Sequence, residues 1–368
     1  MTQHNQSLAQ IAFQKFKKNT WGMVSLTCIV LVVILSVFAY ILAPDSSTNA
    51  NQMHLSIHSK SPGFQVKVLS IPLLEKSDKK ISEYFFGQPN YVTEIPIQSY
   101  VISGNILRYK EYNDDISLAL TKEIALDKFI GYHSMAQVEK ECIQTQTFYL
   151  GTDKYGRDLL SRMLIGSRVS IAIGFVAVLI SVIVGLFFGA LGGYFGGKID
   201  AFVIWLVNII WSIPTLLLVI AITLALGKGF WQVFVAVGLT MWVEVARVVR
   251  GQIISVKEMQ YVTAAKALGY SHGRIIINHI LPNIMAPVIV ISAANFASAI
   301  LVESGLSFLG LGAQPPIPSW GGMIKDHYSY IILGKPYLAL VPGTAIMLIT
   351  LAFMLTGNAL RDALDVKS

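Results

Sequence analysis

Three groups of residues carry side chains that could do chemistry. Asp153, Arg157 and Asp158 set two carboxylates and a guanidinium within the run Gly151-Thr152-Asp153-Lys154-Tyr155-Gly156-Arg157-Asp158. Two acids so close could act as general acid and base, but no histidine or metal-ligand spacing accompanies them, and they read as a salt-bridged structural clasp. Glu244, Arg247 and Arg250 form a second group, and Glu303 stands by itself in an apolar run. Charges within such runs are costly and frequently functional. Glu244 and Arg247 are also spaced to pair locally on a helix. Gly192, Gly197 and Lys198 imitate a phosphate-binding loop, yet Ile199 occupies the place of the Ser or Thr that would hold Mg²⁺ and no strand precedes it. His54, His58, His133, His272, His279 and His327 are scattered, and only His54 and His58 share an i,i+4 spacing. Cys28 and Cys142 suggest neither a disulfide framework nor a metal site. No Gly-x-Ser-x-Gly, no His-Glu-x-x-His and no pair of aspartates inside an apolar run is present, so no catalytic residue and no cofactor is assigned.

The elements that must position these residues are membrane helices. The chain has 368 residues, 54% hydrophobic and only 13% charged, with a mean hydropathy of +0.59. A soluble domain carries about 25% charged residues. Apolar runs of roughly 20 residues, enough to cross a bilayer, fall at Trp21–Ala43, Val169–Leu191, Ala201–Leu226, Phe230–Val249, Ile284–Ser304 and Tyr337–Thr356. The first is too long for a signal-peptide core and is read as an uncleaved anchor. With the N-terminus in the cytoplasm, the short inner segments hold Lys15, Lys17, Lys18, Lys198, Arg247, Arg250, Lys257, Lys266, Arg274, Arg361 and Lys367. The short outer ones hold only Lys228, Lys325 and Lys335, as the positive-inside rule requires. Much of the net charge of +7 is therefore topological, and no nucleic-acid surface is implied.

Residues 44–148 have ordinary soluble composition, with alternating runs at Gln65–Ser70 and Tyr91–Ile97 that suggest strands. They are read as a small extracytoplasmic α/β or β-containing insertion between the first two spans. Gly185, Gly189, Gly193 and Gly197 recur every four residues, a face that lets helices approach closely, within the chain or at a dimer seam. Asp200 and Lys198 are expected to fix the short loop that follows.

The most informative stretch is 250–282, on the cytoplasmic side. Lys257 to Leu268 reads as a short helix with Tyr261, Ala265 and Leu268 on one face. Gly269 stops it, Ser271 caps a second short helix, and Pro282 marks the start of the fifth span. A small amphipathic helix presented this way suits a groove in another protein.

Val262-Thr263-Ala264-Ala265-Lys266-Ala267-Leu268-Gly269, followed by Leu281-Pro282-Asn283, resembles the EAA loop of permease subunits of binding-protein-dependent ABC importers. Here Thr263 replaces the motif's leading glutamate and His279 stands where isoleucine is common. Leu150 to Arg162 resembles the Leu-Gly-Thr-Asp-x-x-Gly-Arg-Asp element of the C-type permeases of dipeptide, oligopeptide and nickel importers, and Glu303 to Gly312, Pro318 to Gly321 and Leu360 to Asp365 are similar too. The resemblance covers 148–368 strongly and 1–43 weakly, and the insertion at 44–148 departs from it.

The resemblance implies an all-α polytopic fold of six transmembrane helices in a bacterial inner membrane: residues 1–43 with the first helix, the insertion, and a transport core over 149–368. It implies a sister permease subunit, two cytoplasmic ABC ATPase subunits and an extracytoplasmic solute-binding protein as partners. It makes Tyr261, Val262, Thr263, Ala264, Ala265, Lys266, Leu268, Gly269, Leu281 and Pro282 the ATPase-coupling residues. Glu244, Arg247 and Glu303 become candidate path or gate residues, and Gly151, Thr152, Asp153, Gly156, Arg157 and Asp158 the outer-mouth motif. The expected activity is peptide uptake driven by ATP hydrolysis in the partners. Nickel is the next solute considered, and an ion-coupled secondary transporter is the rival from another class.

Overall fold

The computed structural model describes residues 8–73, 81–227 and 229–364; Lys228, Asp365 and Lys367 lie outside them. The chain forms two compact units, one built on Ser170–Gln314 with the stretches up to Val33 and from Thr344, the other on Ile34–Val169 with Pro315–Gly343.

In the second unit the inserted segment folds as a five-stranded antiparallel sheet: β1 (Phe64–Pro72), β2 (Val92–Ser103), β3 (Ile106–Glu111), β4 (Thr121–Ala125) and β5 (Ile143–Phe148), in the order β4-β3-β2-β1-β5. Alternation in β1 explains its placement. Val66 and Val68 turn to a cluster with Ile57 and Phe148, while Leu69 turns to the other face. Ser103 pairs with Ile106 across a two-residue turn whose first member is Gly104 at φ +61°, the conformation such a hairpin needs. A helix from Met135 to Cys142, capped by Ser134 accepting from the Gln137 N–H, closes the sheet over Leu69, Ile97, Leu107 and Tyr109. The unit also holds Trp320–His327.

The first unit is built of helices. They are α1 (Leu8–Lys18), α2 (Thr20–Val37), α3 (Leu159–Phe195), α4 (Gly197–Ser212), α5 (Thr215–Leu226), α6 (Phe230–Val256), α7 (Gln260–Ala267), α8 (His272–Phe308) and α9 (Tyr337–Leu364), with α2, α3 and α9 each contributing residues to both units. Five of these helices are long and apolar enough to cross a membrane, and a sixth crossing exists if the bent pair α4 and α5 counts as one. The span expected as one helix over Ala201–Leu226 is thus corrected. It breaks at Ile213-Pro214 and bends by 94°, because proline disfavours helical geometry in the residue before it and supplies no N–H of its own. The helix expected over Val169–Leu191 is also longer, running from Leu159 to Phe195.

Helix α6 is the centre of this unit: 67% of its most apolar window is buried, against 22–39% for the other four. The glycine ladder makes that possible. A Cβ on Gly185 would lie 2.5 Å from the Val245 Cβ, one on Gly189 2.7 Å from the Ala246 carbonyl oxygen, and one on Gly193 2.9 Å from that of Arg250. The ladder's work is therefore packing within the chain, α3 on α6. It ends where the helix ends: Gly197 lies past the stop at Phe195, with φ +55°.

Candidate functional site

The connection between α6 and α8 is a helix, a glycine turn and a second helix. Helix α7 is shorter than the expected Lys257–Leu268, and Gly269 closes it at φ +75°, with its N–H donating to the Lys266 carbonyl and that of Tyr270 to Ala265. The expected shared face is corrected as well. Val262 and Ala265 are buried against Ile275 and Ile280, whereas Tyr261, Ala264 and Leu268 are exposed. Inward positions thus follow i,i+3, and the outward apolar stripe follows i,i+3,i+7. Leu268 is 72% exposed, a large apolar side chain offered to solvent on a helix already anchored by its other face. Thr263 and Lys266 flank the stripe, both exposed.

The second helix does not stop at Pro282. Residues from His272 to Phe308 form one continuous helix, and a π segment over Ile275–Ile280 precedes Leu281 and Pro282. The wider turn accommodates the proline, which has no N–H to donate back, and the Asn283 side chain donates to the His279 carbonyl at 2.6 Å. Ser271 has extended N-cap geometry but no side-chain cap bond.

Polar contacts that the sequence did not disclose fix this connection to the helical core. Lys257 Nζ donates to the Gly193 carbonyl at 3.2 Å. The Tyr194 hydroxyl meets His272 Nδ1 at 2.9 Å. Asp200, expected with Lys198 to fix the loop after the glycine ladder, pairs with Arg250 in a two-point contact, Nη2 to Oδ2 at 2.6 Å. Tyr270 stacks on His279 and lies beneath the Arg274 guanidinium at 4.5 Å.

The Gly151–Asp158 motif belongs to the second unit and is a clasp. Asp153 is fully buried. Its Oδ1 accepts from the N–H groups of Tyr155 (2.8 Å) and Arg157 (3.0 Å), and its Oδ2 lies 2.6 Å from the Arg157 guanidinium and 3.6 Å from Arg162 Nε. Arg157 also donates to Asn51 Oδ1 at 3.0 Å. Asp158 caps α3, its Oδ2 accepting from the Ser161 N–H at 2.8 Å, and burial pushes its carboxyl above the usual range. The Thr152 hydroxyl bonds the Ile57 carbonyl and accepts from the Lys60 N–H. Gly151 and Gly156 have φ of +81° and +74°, and a Cβ on either would strike the carbonyls of Lys60 and His54. Asp153, Arg157 and Thr152 are each bonded within the protein, which suits scaffolding, while Asp158 Oδ1 and Arg162 Nε are buried without a hydrogen-bond partner. His54 is itself buried, 3.3 Å from Glu94, and no cluster of three metal-ligating side chains occurs among the described residues.

Glu244 and Arg247 are exposed on one face of α6. Among the described residues no ion pair joins them. Arg247 instead lies over the Trp211 ring, 3.4 Å from its centroid, beside the break between α4 and α5. Glu303 is buried within the helical unit and accepts from the Ser307 hydroxyl at 2.6 Å.

Residues 177–367 match the family described as binding-protein-dependent transport system inner membrane component, and residues 7–62 match the N-terminal TM domain of oligopeptide transport permease C. The chain belongs to the binding-protein-dependent transport permeases. Among its relatives is a dipeptide transport system permease protein DppC of Bacillus subtilis, 37% identical over 255 residues, which are 68% of this chain and 80% of that protein. The DppC of Alkalihalophilus pseudofirmus is 42% identical over 219 residues, covering 60% and 72%. A DppC of Lactococcus lactis aligns over 363 residues at 29% identity, 98% of this chain and 91% of its own length, and that alignment runs through the inserted sheet. Members of this permease family are transporter subunits, and the long apolar helices make this one a multi-pass membrane protein.

Membrane embedding sharpens the reading of α6. At 1.5 Å per residue its 27 residues span about 40 Å, and Arg247 lies about 26 Å from the Phe230 end. Glu244 and Arg247 therefore lie toward the Val256 end of this long apolar helix, where charged side chains are costly against lipid unless they reach the interface or a partner. The Arg247–Trp211 contact escaped sequence reading because it depends on the α4–α5 break.

Proposed function

We propose that this chain is the C-type permease subunit of a peptide importer, contributing half of the transport path while partner ATPases hydrolyse ATP. The observation that carries the reading is the α7 stripe of Tyr261, Ala264 and Leu268, left exposed on a helix held rigid by Val262, Ala265 and the Gly269 turn. An anchored helix with a free apolar face fits a groove in a second protein, and the family supplies the identity of that protein, a cytoplasmic ABC ATPase. Thr263, Lys266, Leu281 and Pro282 complete the coupling segment.

In this arrangement the N-terminus is cytoplasmic and the bent α4–α5 pair counts as one of six crossings of the inner membrane. The sheet of 44–148 lies outside, the Asp153–Arg157 clasp fastens that domain to the start of α3, and a solute-binding protein delivers cargo there. A sister permease completes the path. Peptide is the cargo, from the dipeptide and oligopeptide permeases among the relatives. The test is reconstitution of the chain with its sister subunit, ATPases and binding protein in proteoliposomes. Uptake of labelled dipeptide that requires ATP supports the reading. Uptake by the isolated chain under an ion gradient without ATP, or ATP-driven uptake of nickel with no peptide transport, overturns it.

A further inference from the structure

Two independent features of the helical unit meet at one place. The first is backbone. Residues 211–217, which hold the break between α4 and α5, are all exposed, and the 94° bend leaves the last carbonyls of α4 and the first N–H groups of α5 without partners inside their helices. Open backbone at membrane depth is tolerated only where protein covers it or water reaches it. The second is charge. Helix α6 is the most buried of the long helices, packed against α3, α4, α5 and α8, yet its exposed positions include Leu239, Glu244 and Arg247, the last two one turn apart. A carboxylate and a guanidinium one turn apart on the exposed part of a membrane helix are disfavoured against acyl chains, and such residues almost always face a protein interior or a water-filled cavity. The two features touch, because the Arg247 guanidinium lies 3.4 Å from the centroid of Trp211, the penultimate residue of α4, beside the negative end of that helix dipole.

We infer that Glu244, Arg247 and Trp211 form a binding site in the wall of the transport path for the charged termini of a peptide main chain. Arg247 takes the terminal carboxylate, with its planar fork of donors held flat by the indole, and Glu244 takes the terminal ammonium on the same helix face. Trp211 holds the guanidinium and offers an apolar surface to a side chain of the cargo. This gives the path a preference for zwitterionic peptides regardless of sequence, which suits a conduit whose cargo varies only in its side chains. The site rests on the peptide-importer reading above.

The test uses the complete complex in proteoliposomes and compares a tripeptide with free termini against its C-amidated and N-acetylated forms. Arg247→Gln is expected to raise the half-saturating concentration of the free-acid peptide by about 10- to 100-fold, the loss of a charge-assisted hydrogen bond, while leaving the amidated peptide unchanged. Glu244→Gln is expected to do the same for the free amine and not for the acetylated form, and Arg247→Lys to recover part of the loss. As a second measurement, Leu239→Cys in a Cys28→Ser background, with the remaining Cys142 buried, is expected to react with a water-soluble thiol reagent and to be protected by the free-termini peptide. A wild-type complex that moves no peptide would sink the importer reading itself. A competent wild type whose neutral variants keep unaltered half-saturation for all three peptides, or a Leu239→Cys that is inert to the reagent or reacts without protection, would sink this site alone.

Discussion

Replacing Gly189 with alanine tests the packing on which the helical unit depends. The added Cβ would sit 2.7 Å from the Ala246 carbonyl oxygen and 2.8 Å from the Val249 Cβ, whereas ordinary contact begins near 3.4 Å. Backbone of α3 or α6 must therefore retreat by about 0.7 Å, the difference between 3.4 and 2.7, and neither obstacle is the tip of a flexible side chain. Overpacking of this kind costs about 1–3 kcal/mol, roughly 5- to 150-fold in an equilibrium constant. Gly251 supplies the internal control. It lies in α6 too, but a Cβ there meets nothing within 4 Å, so Gly251→Ala should be neutral or gain up to about 1 kcal/mol of helix propensity. Thermal unfolding of the purified chain in one detergent, followed by intrinsic fluorescence, separates the two. A Gly189→Ala chain as stable as wild type, or an equal loss in Gly251→Ala, would refute the account of the ladder as a close-packing face.

Three further outcomes follow from the same geometry. Asp153→Asn removes the buried carboxylate that pairs with Arg157 and Arg162, which should destabilise the second unit by about 3–5 kcal/mol, read as faster proteolysis within 44–148 while the helical unit persists. His327 is held below its usual value by burial, with Nδ1 donating to the Met323 carbonyl and Nε2 facing the Lys154 N–H. Its folded value lies under the unfolded 6.5, so its contribution is present above about pH 6.5 and is lost as pH falls through the folded value; unfolding scans from pH 8 to 5 should show this slope, and His327→Gln should flatten it. Gly269→Val forces a β-branched residue to φ +75°, and should abolish most uptake while leaving membrane insertion, measured by alkali-resistant membrane retention, at wild-type level.

The long apolar helices were legible because a run of twenty apolar residues has few soluble interpretations. The Gly269 turn was legible because a glycine after a short periodic segment admits one conformation cheaply. β1 and the start of β2 showed in their alternation, but β4 is mostly exposed and β5 is rich in Gln and Thr, so neither carries a period-two signal. The α4–α5 break was harder to read. Pro214 was visible, but membrane helices tolerate proline, and only tertiary packing decides between a kink and a 94° bend. Periodicity grouped Ala265 with Tyr261 and Leu268, whereas packing pairs it with Val262, because at about 100° per residue Ala265 lies on the flank of that face nearest Val262, where the buried side begins. The anchors Asp200–Arg250 and Lys257–Gly193 link positions about 50 to 64 residues apart, and no local pattern announces such pairs.

Site-specific photocrosslinking from Leu268 in intact cells reports which protein receives the α7 stripe. With a photoreactive residue at that position, one dominant adduct between this chain and a nucleotide-hydrolysing subunit is expected, formed from the cytoplasmic side. An adduct only with an extracytoplasmic protein, or labelling of Leu268→Cys by a membrane-impermeant reagent added outside intact cells, would contradict it.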